Sequence, residues 1–120
     1  MSQSTRLPLA PWAASSIEIY AEDYAADEGD YHAPAYRALA DAFRFERKEG
    51  SDGSVKEKSW LEVTPDNASA LLDALTNLAN VEDETADQYD PEGQKFARWS
   101  RDGLTAASTK LVKIIKGWEE

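Results

Sequence analysis

The sequence predicts an α+β fold: about four helices packed around one β-hairpin in a single small domain, with an all-α bundle as the alternative. Three observations carry this expectation. Four stretches repeat apolar residues at three and four, the spacing of one helix face. One pair of segments alternates instead, on either side of the turn-forming run Gly50-Ser51-Asp52-Gly53-Ser54. Thr64-Pro65 and Asp90-Pro91 each set a capping residue before a proline, the signature of a helix start.

Taken in order, residues 1–11 hold two prolines and no periodicity, and are expected to be a flexible tail pinned by Trp12 to a globular domain over 12–120. Ser15 and Glu18 have the spacing of a capping box, and Ile17, Tyr20, Ala21 and Tyr24 fall on one face, which predicts a helix over 15–28 closed by Gly29. Pro34 suits the first turn of a second helix, with Tyr36, Leu39, Ala40 and Phe43 turned inward. From Phe43 to Lys48 the chain alternates, and Val55 to Val63 does the same with Val55, Leu61 and Val63 on one face. A hairpin over 43–63 is the preferred reading; a helix running through 34–48 would give the all-α alternative.

A third helix is expected over 65–80 from Ala68, Leu71, Leu72, Leu75, Leu78 and Ala79, followed by an acidic connection from Val81 to Tyr89. The last helix starts at Pro91, with Phe96, Trp99, Leu104, Ala107, Leu111, Ile114 or Ile115, and Trp118 as its apolar face and Gly103 as a potential break. The predicted core is Ile17, Tyr20, Tyr24, Leu39, Phe43, Leu61, Leu71, Leu75, Leu78, Phe96, Trp99, Leu111 and Ile115.

With 120 residues, 42% of them hydrophobic, the chain can bury one core. It has no Cys, which removes thiolate nucleophiles, thiolate metal sites and disulfides and fits a reducing compartment. No apolar run approaches the roughly 20 residues of a membrane span, and the first residues lack the apolar segment of a signal peptide, so the expected location is cytoplasmic. Asp and Glu number 23 against 13 Lys and Arg, a net charge of −10, which repels nucleic acid and anionic membrane and attracts basic surfaces.

The charge is uneven. Glu18, Glu22, Asp23, Asp27, Glu28 and Asp30 form one window without Lys or Arg; Glu82, Asp83, Glu84, Asp87, Asp90 and Glu92 form a second. Glu18 with Glu22, and Asp23 with Asp27, stand four apart on a helix, where like charges repel by a few tenths of a kcal/mol per pair, so stability alone does not select them. Such rows can imitate a phosphate backbone; the plainer reading is a solvated face. The segment 93–120 is basic by contrast, with Lys110, Lys113 and Lys116 in a row that complements the carbonyl end of its helix.

Catalytic patterns are weak. His32 is the one histidine, no Gly-x-Ser-x-Gly elbow accompanies it, and it reads as a packing or capping residue. The acids of 83–92 miss the calcium-loop template, because counting from Asp87 puts Tyr89 and Pro91 at ligand positions. Asp41, Glu46 and Lys48 have a nuclease-like spacing that cross-strand pairing with Lys56, Glu57 or Lys58 explains better. No glycine-rich phosphate loop is present, and the basic and acidic residues from Arg37 to Lys58 sum to only +1, which argues against direct nucleic-acid binding.

The expected function is therefore non-enzymatic, without metal or cofactor. The chain is read as an acidic interaction protein whose twelve window acids bind and inhibit a basic partner, a nucleic-acid-binding protein in the phosphate-mimic version, as inhibitors made by phages and mobile elements do. A structural component that oligomerises through aromatic surface near Trp12 and Trp118 is one alternative, and a small metal-dependent hydrolase is the other.

Overall fold

The computed structural model describes residues 4–27 and 29–119, without the side chain of Glu119; Glu28 lies outside the described residues. The described elements are β1 (Thr5–Pro8), α1 (Pro11–Ala25), α2 (Ala33–Ala42), β2 (Phe43–Glu49), β3 (Val55–Val63), α3 (Ala68–Thr85), a 3-10 turn at Ala86–Gln88, and α4 (Pro91–Glu119). The strands form one antiparallel sheet in the order β1-β3-β2. This is the predicted α+β class, with four helices and the hairpin at 43–63, enlarged by one strand.

That strand corrects the expected tail. Thr5 to Pro8 pair with Val63 to Trp60, and Leu7 is buried opposite Leu61. Four residues are too few for alternation to register in a sequence, and Pro8 is tolerated because β1 lies at the sheet edge. The Leu9 amide donates to the Ser59 carbonyl at 3.0 Å, which holds the chain until Pro11 opens α1. The helix thus starts one turn before the expected capping box, and Ser15 lies inside it. Pro11 costs nothing there, since a first-turn N–H has no helical partner.

At Ala42 the helical spacing stops and Phe43, expected on a helix face, opens β2 instead, half-buried. The turn of the hairpin needs a glycine at Gly53, where φ is +84°. Before α3, the Thr64 amide donates to Asn67 Oδ1 at 2.8 Å and the Asn67 amide donates to Thr64 Oγ1 at 3.2 Å. This reciprocal capping box makes Thr64 the functional cap, although regular helix geometry begins only at Ala68. Asp90 caps α4 in the same way, accepting from the Gly93 amide at 2.8 Å.

The core collects Leu7, Ile17, Tyr36, Leu39, Leu61, Val63, Leu71, Leu75, Leu78, Leu104 and Leu111, all essentially inaccessible. Burying each Leu contributes about 1.5–3 kcal/mol before entropy is counted. Tyr20, Tyr24, Phe43 and Ile115, expected in the core, line its margin. Phe96 and Trp99 are corrections: they are 37% and 40% exposed. The inward positions of α4 are Ala97, Ser100, Leu104, Ala107 and Leu111. The cause is the approach of α1. A Cβ placed on Gly103 would stand 3.1 Å from the Ala13 Cβ, so only small side chains fit between these helices and the large rings turn aside. Gly103 is a point of close contact with α1 and not a break, since α4 is continuous.

Candidate functional site

The acidic connection expected between the last two helices is half helix. α3 continues to Thr85 because its inward positions, Leu75, Leu78, Ala79, Glu82 and Ala86, keep the spacing of three and four; the apolar pattern fades only because one of them is a carboxylate. Glu82 is 7% exposed. Ser16 Oγ of α1 donates to Glu82 Oε1 at 2.9 Å, a bond that ties α1 to α3. Among the described residues no Lys, Arg or His lies within ion-pair distance of Glu82. A buried carboxylate is ordinarily paired with a cation, because burying a charge costs several kcal/mol that one neutral hydrogen bond does not repay.

Glu82 floors an open notch of about 240 Å³ between α1, α3 and α4, walled by Trp12, Ser16, Ile19, Tyr20, Tyr89 and Phe96. The rings are organised. Trp12 stacks on Phe96 with centroids 5.0 Å apart, Trp99 closes a triangle at 5.5 and 5.6 Å, and Tyr20 stacks on Tyr24 at 5.7 Å. Lys95 Nζ sits 4.8 Å from the Trp99 ring, so this cluster already holds one cation by its π face. A larger groove of about 480 Å³ lies at the foot of the hairpin beside Pro8, Leu9 and Trp60, but its charged residues Arg6, Glu18, Glu46, Glu57 and Lys58 are of mixed sign and none is buried.

The window acids fall into three groups. Asp23 and Asp30 lie close enough to Tyr24 to raise it together with Glu82, and Asp30 Oδ1 also accepts from the His32 amide at 2.9 Å. Glu18 and Glu22 occupy the opposite flank of α1, toward Ala40 and Phe43, and are not part of the notch. The rest include acids with local duties: Asp27 accepts from the Gly29 amide at 3.2 Å, Asp83 pairs with Arg101 at 2.6 Å, Asp90 caps α4, and Glu92 sits in its first turn. Glu84 and Asp87 are exposed beside the notch-bearing end of α3. Arg101, and not the lysine row of α4, answers the acidic window.

His32 Nδ1 lies 3.1 Å from Asp73 Oδ2, a contact between α2 and α3 that matches its packing role. Among the described residues no group of three or more His, Cys, Asp or Glu side chains is arranged to hold a metal ion, and no helix is long and apolar enough to cross a membrane. The residues that composition and spacing missed are Ser16 and the aromatic walls. Their only sequence signal was a polar Ser on an apolar helix face, four residues after Trp12 and three before Ile19.

Three tyrosines of α1 and α2 resist ionisation. Burial raises the Tyr36 hydroxyl well above its usual range, with Tyr24, Asp30 and Asp73 adding to it; Tyr36 donates to Asn77 Oδ1. Burial also raises Tyr20, helped by Tyr89 and Glu82, and Tyr24, helped by Glu82. The folded state therefore holds these protons more tightly than the unfolded chain. Their stabilisation is complete below pH about 10 and is lost as pH rises beyond it. An alkaline titration followed at 295 nm should show Tyr36 ionising only as the far-ultraviolet circular dichroism collapses.

Set against known proteins, the chain matches no family model, no curated protein and no solved structure.

Proposed function

We propose that this protein is a non-enzymatic interaction module that holds a basic segment of a partner protein. A Lys or Arg side chain enters the notch, its stem against Trp12, Tyr20 and Phe96 and its charge toward Glu82, while Asp23, Glu84 and Asp87 draw the segment in. The observation that carries this reading is the buried, unneutralised Glu82 at the floor of an aromatic-walled opening. A cation supplied by the partner would complete the pairing that the chain itself lacks. A partner whose basic surface serves nucleic acid fits the same chemistry, and its occlusion would be the inhibitory outcome. The split of α1 acids onto two flanks favours one anchored side chain over a long imitation of a phosphate strand.

The test is calorimetric titration of hexalysine, with hexaglutamate as control, into wild type, Glu82→Gln, and the double variant Glu18→Gln with Glu22→Gln. Gln keeps the acceptor for Ser16 and removes only the charge. Hexalysine should bind wild type and hexaglutamate should not. Glu82→Gln should lose at least about tenfold in affinity, about 1.4 kcal/mol, and the α1 double variant should stay within about twofold. Equal losses in both variants would reduce the attraction to general charge and overturn the anchored reading.

A further inference from the structure

We propose that the notch accepts the β2–β3 hairpin of a second copy of this chain, so that the protein associates head to tail; this names a partner for the site and rests on the reading of the notch given above. Summed along the sequence the hairpin region is nearly neutral, but strand alternation separates its charges by face. Arg44, Lys48, Lys56 and Lys58 stand with Glu46 and Glu62 on the side away from Leu61 and Val63, a net of +2, and Glu62 is answered there by Arg6 of β1. The opposite side carries Arg47 against Glu49 and Glu57, a net of −1. Lys48 is directly across from Lys56, and like charges in register destabilise a sheet. Glu46 answers Lys48 at 3.2 Å; Lys56 and Lys58 have no carboxylate at ion-pair distance among the described residues.

Each molecule thus presents unneutralised lysines on one element and an unneutralised buried carboxylate on another. Residues 47–56 are all exposed and line no groove with the helices, so the end of the arm can reach a neighbour, and the walls of the notch include no hairpin residue. The giving and receiving faces differ, which makes the contact heterologous, a ring or an open chain. Repulsion between two chains of −10 opposes it. At physiological salt that repulsion is screened beyond about 8 Å, whereas lysines in contact with the acids around the notch are not, so contact pairs win; at 1 M salt, where screening reaches about 3 Å, they lose.

Sedimentation equilibrium tests this directly. Wild type at 0.15 M salt should rise with concentration to at least twice the mass of one chain and return to one chain at 1 M. The triple variant Lys48→Gln, Lys56→Gln, Lys58→Gln and the variant Glu82→Gln, both with wild-type circular dichroism, should each stay monomeric alone. Mixed in equal amounts they should form dimers, because one retains the notch and the other the hairpin. A wild type that is monomeric throughout, or a mixture that does not complement, overturns the self-association while the hexalysine titration still decides the notch on its own. A monomer that instead binds an oligonucleotide through the same lysines would assign the hairpin face to nucleic acid and overturn it equally.

Discussion

Replacing Leu75 by Ala should cost about 2–5 kcal/mol of stability, a large part of what a domain of this size possesses. Leu75 is fully buried on α3, which packs against both α2 and α4. Its side chain is surrounded by neighbours fixed on separate elements, so the space left by truncation cannot close by the shift of one of them, and the cavity adds to the lost transfer energy. Urea unfolding should show a lower midpoint with an unchanged slope, because the folded and unfolded surfaces stay nearly the same. A loss below about 1 kcal/mol would mean that the helices around Leu75 collapse freely and that the core is not close-packed there.

The second large effect is expected at Gly103→Leu. Helix propensity alone predicts a gain of about 1 kcal/mol, since Gly is the poorest helix former after Pro. Packing predicts the reverse. A Cβ there meets the Ala13 Cβ at 3.1 Å and the Ala13 amide nitrogen at 3.4 Å, and a backbone atom cannot turn aside as a side-chain end can. Overpacking of about 1–3 kcal/mol or more should outweigh the gain, leave the protein less stable by thermal unfolding, and move α1 off α4. Because Trp12 and Ser16 ride on α1, hexalysine affinity should fall with it. A stabilised Gly103→Leu variant would show that the helix contact yields, and that Gly103 is a mere propensity defect.

The sequence carried the helices whose inward positions are apolar, and the hairpin, because periods of 3.6 and 2 are written directly into side-chain polarity. It also carried the caps at Thr64 and Asp90, whose hydrogen bonds are local. Three things were not legible. β1 is a four-residue edge strand whose pairing with β3 spans more than fifty positions. The rotation of α4, which turns Phe96 and Trp99 outward, follows from how closely α1 approaches, and hydrophobicity alone assigned those rings to the core. The continuation of α3 through Glu82 was hidden because a buried charge breaks an apolar pattern without breaking a helix.

For the site, charge counting located the two acidic windows but not which acids converge. Composition and period by themselves determined the fold class, the single core and the excess of negative charge, since each depends on residue type and local spacing. Only tertiary structure decided that Glu82 lies buried beneath aromatic rings, that Glu18 and Glu22 face elsewhere, and that the nearly neutral hairpin has a basic side. The physical reason is common to all three: a charge acts through what surrounds it within a few ångströms, and for Glu82 those neighbours come from α1 and α4, far from it in the chain.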